Sequence, residues 1–310
     1  MSRKIIVGSR GSKLALIQTE SVVALIREAN PDIEITISQI VTGGDRDQNT
    51  PLEQVAGTGF FITEIEEALL DGRIDLAVHS LKDMPSQIPD GLSLEATPRR
   101  LDPRDVLITR GKTLDELAPG GRIGTSSSRR TAQLAACRPD LEAAGIRGNV
   151  DTRMNKVTSG DYDGLISAAA ALTRLSWEDR ITEYLPVEHF LPAVGQGALA
   201  VETRSNDEEI RAILTPLNHL PTWQSITAER AFLRTLGGGC QAPIAALGTV
   251  EGATLHLDGM VVDVTKNITF RGTEEGSTSS AEEIGLKLAE RLLADGAAEF
   301  LFGQGENEER

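Results

Sequence analysis

The chain has 310 residues, 40% of them hydrophobic, and a formal net charge of −15. That length is enough for two or three domains, and the acidity argues against nucleic acid or an anionic membrane as a partner. No apolar run approaches the roughly 20 residues of a membrane span, and Met1 leads straight into a strand-like run without a signal-peptide core, so a cytoplasmic protein is expected.

Lys4 to Gly8 reads as a buried strand, followed by the turn Ser9-Arg10-Gly11-Ser12. Ser12 can cap a helix from Lys13 to about Glu28, with Leu14, Ile17 and Leu25 at helical spacing. Strand, turn and helix together place backbone N–H groups and Arg10 at a helix N-terminus, a natural anion site. Ile33, Ile35 and Ile37 alternate as a strand, and Ile62, Ile65 and Leu69 mark a helix closed by Gly72. Ile74 to Val78 is a strand running into His79-Ser80-Leu81-Lys82-Asp83-Met84-Pro85. This alternation implies a largely parallel α/β sheet, in which ligands bind at the C-terminal strand ends. Both Ser9–Ser12 and His79–Asp83 lie at such ends.

Residues 98–104 read as a linker into a second α/β segment with strands at Val106–Thr109 and Arg122–Gly124. Thr125-Ser-Ser-Ser-Arg-Arg130 is a hydroxyl-rich turn leading into a helix. Arg147 to Arg153 is a further turn before a short helix, Tyr162 to Ile166 a strand, and Ala168 to Leu175 a helix carrying Arg174. Leu191-Pro-Ala-Val-Gly-Gln-Gly197 is a second linker. The third unit holds a helix from Trp223 to Leu236, with Trp223, Ile226 and Phe232 on or near one face. Strands follow at Ile244–Gly248 and near 254–261 and 267–271, then a helix from about Ser280 with Ile284, Leu288 and Leu292 on one face.

Two patterns carry chemistry. Gly237-Gly238-Gly239-Cys240-Gln241-Ala242-Pro243 holds a thiol at a bare, tight turn, where glycine lets another group approach closely. One glycine after a helix is common; three followed by Cys and Pro exceed what a cap needs. The second cysteine, Cys137, is expected to pack near a helix, and both thiols to be free in a reducing compartment. The other pattern is arginine: Arg10, Arg129, Arg130, Arg147, Arg153 and Arg174 adjoin glycine, serine or turn signals, as a local anion site in an acidic protein would require. The histidines show no metal-ligand spacing, so no metal is expected.

The cysteine loop, Ser9–Ser12 with Leu14-Ala15, Val78–Pro85, Thr125–Arg130, Arg147–Val150 with Thr152-Arg153, and Leu191–Gly197 together resemble the motifs of the porphobilinogen deaminase family, in that family's order and at compatible spacing. The resemblance implies two α/β lobes like those of periplasmic binding proteins with the active cleft between them, plus a small α+β C-terminal domain. The implied division is 1–98 with 194–216, 99–193, and 217–310. It also implies a dipyrromethane cofactor bound by thioether to Cys240, porphobilinogen as substrate, no nucleic-acid or membrane partner, and a monomer.

By the same resemblance Asp83 is the catalytic carboxylate and also faces the cofactor. Ser80, Lys82, Thr125, Ser127, Arg129 and Arg130 hold the cofactor, while Arg10, Ser12, Gln18, Arg147, Arg153 and Arg174 hold substrate. The chemistry asks for such a set. Each ring brings two carboxylates, which favours arginine forks, and loss of ammonia creates an electron-poor azafulvenium that a carboxylate beside the ring N–H stabilises. Thr58 and Thr63 stand where many members carry lysine. Two other readings exist, a cysteine-nucleophile hydrolase and a non-catalytic two-lobed anion binder; the first leaves the arginines unexplained, the second leaves Cys240 without a role.

Overall fold

The computed structural model describes residues 4–43, 62–237, 242–263, 266 and 268–302. Strand β1 (Lys4–Arg10) leads into helix α1 (Lys13–Ala29). Ser12 caps α1 as expected, its Oγ accepting from Ala15 N at 3.3 Å. Then come β2 (Glu34–Ile40), α2 (Thr63–Leu70), β3 (Leu76–Ser80) and β4 (Leu92–Ala96). Val22, Val23 and Ile26 of α1 pack on Ile5 and Val7 of β1, so the helix buries the face that its apolar spacing defines.

After a first crossing the chain forms β5 (Asp105–Thr109), β6 (Arg122–Gly124), α3 (Ser128–Cys137), β7 (Glu142–Ala144), α4 (Val150–Thr158), β8 (Gly164–Ala168), α5 (Ala169–Arg174) and β9 (Glu183–Tyr184). It then returns through Leu191–Gly197 to β10 (Leu199–Arg204) and α6 (Glu208–Leu214). The two sheets have orders β2-β1-β3-β10-β4 and β7-β6-β8-β5-β9. Both follow one plan. β1 and β6 each lie between two parallel neighbours, and an antiparallel strand and an edge strand complete the sheet.

The sheets are therefore mixed: four strands of each run the same way, as the alternation implies, and one, β10 or β5, runs against them. The antiparallel slot is filled each time by the strand that follows a crossing, β5 outbound and β10 on return. A parallel partner needs a helical crossover within its own sheet; a strand arriving from the other lobe has none. The crossings touch each other: Leu101 N donates to Gly197 O at 3.3 Å. A Cβ on Gly197, whose φ is +89°, would lie 2.6 Å from Leu101 O, so only glycine lets the two backbones meet there.

The third unit consists of α7 (Leu220–Thr235), β11 (Ile244–Glu251), β12 (Thr254–Asp263), β13 (Ile268–Ser277) and α8 (Ala281–Leu292), with the strands antiparallel in that order. Phe232 of α7 and Ile284, Leu288 and Leu292 of α8 cover Leu255, Leu257 and Val261 on one sheet face. Ala245, Met260 and Val262 on the other face rest on Leu191 and on Ala132 of α3. α7 begins earlier than expected, because His219 Nδ1 accepts from Thr222 N and Pro221 occupies the first turn. Its apolar residues also divide. At 100° per residue Phe232 lies half a turn round from Trp223, so Trp223 and Ile226 pack beneath Leu81 and Met84 while Phe232 enters the third core.

One buried carboxylate joins the three parts. Glu229 of α7 pairs with Arg100 of the first crossing at 2.5 Å and accepts from Gly195 N of the second at 2.7 Å. It also accepts from Gly248 N of β11 at 2.8 Å. Among the described residues no helix is long and apolar enough to cross a membrane.

Candidate active site

From the first lobe, the C-terminal ends of β1 and β3 bring together Arg10, Ser12, Gln18, Ser80, Lys82 and Asp83. Gln18, buried on α1, donates from Nε2 to Ser80 Oγ at 2.9 Å. Leu81 to Asp83 form a single 3-10 turn that leaves Asp83 exposed between buried Leu81 and Met84. α7 holds this turn from behind through Trp223 and Ile226, and Arg230 Nη2 donates to Pro85 O at 3.0 Å and Ser86 O at 3.2 Å. His79 faces away from this chemistry, its Nε2 2.9 Å from Glu202 Oε2 in the lobe interior.

From the second lobe, Ser127 caps α3, its Oγ accepting from Arg130 N at 3.4 Å, and Thr125 Oγ1 accepts from Ser127 N at 3.2 Å. Arg129 Nη1 donates to Asp105 Oδ2 at 2.7 Å and to Leu191 O at 2.6 Å. Arg130 holds the other oxygen of Asp105 with Nε and Nη2, at 3.1 and 2.7 Å. Burial alone would raise the Asp105 pKa, but the Arg129 and Arg130 charges outweigh it and keep this carboxyl well below the usual range.

The turn expected through Arg153 ends earlier. Asn149 is the N-cap and α4 begins at Val150, so Arg153 lies in its first turns. Gly148 makes the reversal at φ +105°, where a Cβ would meet Thr152 at 2.8 Å. Arg153 Nε donates to Gly148 O at 2.8 Å, and Arg174 Nη2 to Gly197 O at 2.9 Å. Among the described residues Arg147 Nε and Nη2 are buried without a hydrogen-bond partner, as is Arg129 Nε.

The two sets face one another. Burial, then the Arg130 and Arg147 charges, lower the Arg153 pKa, and Asp83 of the opposite lobe works against them. Burial pushes Lys82 down to about 8, Arg130 adds to that, and Asp83 and Asp105 oppose it. Burial likewise lowers Arg174 to about 10. A second bridge lies at the rim, where Lys13 Nζ of α1 stands 5.1 Å from the Trp177 ring centroid, beyond α5.

Asp105 and Gln196 were not singled out from sequence. Gln196, in the second crossing, accepts from both Lys82 Nζ and Arg130 Nη2 at 3.4 Å, and donates to Asp105 Oδ1 at 2.8 Å. A signal existed for Asp105: a carboxylate heading the buried run Val106-Leu107-Ile108 must be paired.

Cys240, with Gly238, Gly239 and Gln241, lies outside the described residues, as does Thr58. The described chain stops at Gly237, just past α7, and resumes at Ala242 before β11. Thr63 opens α2 and is exposed. Cys137 ends α3, half-buried, and burial pushes its thiol up, away from reactivity. The donor set fits an anionic ligand: guanidinium nitrogens buried without partners and a lysine with spare donors are what a polycarboxylate would satisfy.

Residues 5–212 match the family model described as porphobilinogen deaminase, dipyromethane cofactor binding domain, and residues 223–294 match the porphobilinogen deaminase C-terminal domain. A porphobilinogen deaminase of Brevibacillus brevis is 49% identical over 297 residues, 95% of this chain and 96% of that one. One from Syntrophus aciditrophicus is 47% identical over 96% of this chain and 97% of its own length. Among solved structures, the second substrate binding domain of a putative amino acid ABC transporter from Streptococcus pneumoniae aligns at 12% identity and TM-score 0.42, covering 76% of this chain and 95% of that one. On the two family models and the full-length relatives, the chain belongs to the porphobilinogen deaminase family.

Proposed function

We propose that this chain is a hydroxymethylbilane synthase, which condenses four porphobilinogens head to tail, releases four ammonias and frees the linear tetrapyrrole by hydrolysis. The observation that carries the reading is the convergence of cations from both lobes beside the Asp83 turn: Lys82 of that turn and Arg130 of the second lobe share Gln196 Oε1 at 3.4 Å, backed by Arg147, two of whose nitrogens are buried without a partner among the described residues. A dipyrromethane bound as a thioether to Cys240 supplies a primer that keeps the growing product on the enzyme. Ser80, Lys82, Thr125, Ser127, Arg129 and Arg130 would hold its carboxylates, and Asp83 would face its ring nitrogens.

For the incoming pyrrole the roles divide by charge. Arg10, Arg147, Arg153 and Arg174, with Ser12 and Gln18, bind and orient the acetate and propionate arms. When the C–N bond of the aminomethyl arm breaks, the electron pair leaves with ammonia and positive charge spreads to the ring nitrogen. The Asp83 carboxylate accepts the hydrogen bond from that N–H and stabilises the cation. The new C–C bond forms at a free pyrrole carbon, whose proton then leaves; an exposed carboxylate such as Asp83 can carry it to solvent.

Within this reading the domains are 1–98 with 194–216, 99–193 and 217–310, and the working form is a cytoplasmic monomer. Incubation with porphobilinogen tests the activity. One ammonia released per porphobilinogen consumed, with a linear tetrapyrrole as product, supports it; porphobilinogen left unconsumed by the folded protein refutes it.

A further inference from the structure

Gln196 sits where the two crossings meet and is 1% exposed. One end of its carboxamide faces two acceptors, Asp105 Oδ1 at 2.8 Å and Pro103 O at 2.7 Å. The other faces two cationic donors, Lys82 Nζ and Arg130 Nη2, both at 3.4 Å. Turned over, the amide would set N–H against cations and C=O against a carboxylate, so the surroundings fix which end is oxygen. The backbone carbonyl of Gln196 accepts from Arg100 Nε at 2.7 Å. One residue thus touches Lys82 of the first lobe, Asp105 and Arg130 of the second, and the first crossing at Arg100 and Pro103.

The two ends differ in quality. The bonds to Asp105 and Pro103 are short, while both cation bonds lie at the long limit for a hydrogen bond. The bond to Gln196 is also the one that Lys82 makes among the described residues. A neutral oxygen shared by two cations, half-buried Lys82 and buried Arg130, is a weaker partner than a carboxylate, which forms shorter, charge-assisted bonds. We propose that Gln196 is a positioning residue for cofactor loading: its Oε1 holds Lys82 and Arg130, one from each lobe, around the place of a single carboxylate oxygen until a carboxylate of the dipyrromethane displaces it. The inference rests on the function proposed above. Without Gln196 no shared oxygen joins Lys82 to Arg130 across the lobes, and Asp105, already bonded to Arg130 on the second lobe, does not replace it, so the unloaded lobes part; once loaded, the protein no longer needs the amide.

The test uses full-length protein made in cells that lack porphobilinogen, with fluorescent unnatural amino acids at exposed Glu28 of the first lobe and Asp161 of the second. In Gln196→Met the unloaded lobes should stand farther apart than in wild type. Mass gain on adding porphobilinogen should be about tenfold slower, the scale expected for losing the two long hydrogen bonds from Lys82 and Arg130. After loading, spacing and turnover should return to within a few-fold of wild type. Gln196→Asn keeps the amide but falls one methylene short, and should behave alike if the methionine variant does not fold. Wild-type spacing and loading rate in a folded variant would overturn the proposal. So would a variant that stays open and slow once loaded, or failure of both to fold, since either makes Gln196 a plain structural brace. Wild-type protein that gains no mass sinks the proposed function instead, and leaves the comparison of unloaded lobes standing.

Discussion

Asp105→Asn isolates the carboxylate behind the arginines. Asp105 is fully buried and takes four hydrogen bonds, one from Arg129, two from Arg130 and one from Gln196. Asparagine keeps one acceptor but turns a donor toward Arg129 Nη1, which is itself a donor. It also strips the charge that offsets two buried guanidiniums. Removing one partner of a buried ion pair costs about 3–5 kcal/mol, against a whole-protein stability of about 5–15 kcal/mol. A loss of about 3 kcal/mol confined to the second lobe is expected, because the arginines can relieve part of the cost by turning toward the cleft. The pH dependence has a definite sign. The folded Asp105 pKa is depressed, so its contribution is complete above the unfolded value of about 4 and fades as pH falls below that. Trp177 and Trp223 are the two tryptophans, and replacing Trp223 with phenylalanine leaves Trp177 as a reporter of the second lobe. Urea unfolding followed by its fluorescence should show the deficit at pH 7. A deficit below about 1 kcal/mol would mean that Asp105 does not anchor the pair.

Other outcomes follow from the same geometry. Asp83→Asn should keep fold and cofactor but turn over about 10² to 10³ times more slowly, as expected for one well-placed charge stabiliser; a rate within a few-fold of wild type removes Asp83 from the mechanism. Arg147→Leu should leave the melting temperature nearly unchanged while weakening substrate use, since its buried Nε and Nη2 have no partner among the described residues, whereas Arg129→Leu should destabilise the fold; equal destabilisation by both would make Arg147 structural. Burial, then the Glu202 charge, raises the Glu66 pKa to about 7, with His79 opposing. Its protonated form is the favoured one, so stability falls as pH rises from the unfolded value through 7. Glu66→Gln should therefore gain about 1–2 kcal/mol above pH 7, after allowance for its exposed half, and little near pH 4.5. Melting curves at both pH values check this, and an equal gain at both contradicts it.

The sequence made local features legible where one short segment decides the outcome. Ser12 and Ser127 cap their helices as side-chain chemistry dictates, and Ile284, Leu288 and Leu292 bury the face that their spacing marks. The mixed sheets were not legible, because β5 and β10 owe their direction to the lobe from which the chain arrives, more than 100 residues from their partners in the return case. Asp105, Gln196 and Glu229 escaped for a related reason. Gln196 and Glu229 look like ordinary polar residues in their own segments, and although the apolar run after Asp105 marks it as a residue that must be paired, only the packing of distant segments shows with what. Arg129 and Arg130 show the converse: adjacency in sequence suggests two equivalent cations, yet Arg129 Nη1 is taken by Asp105 and Leu191 whereas Arg130 reaches Gln196 at the junction of the crossings.

The central claim, a synthase built on a covalent primer, meets its most direct test in the intact mass of the purified protein. Wild type should exceed its sequence mass by two porphobilinogens less two ammonias, with peptide mapping placing the addition on Cys240, and Cys240→Ser should show the sequence mass alone. An active wild-type enzyme at its unmodified mass, or an addition carried on Cys137, would contradict the account.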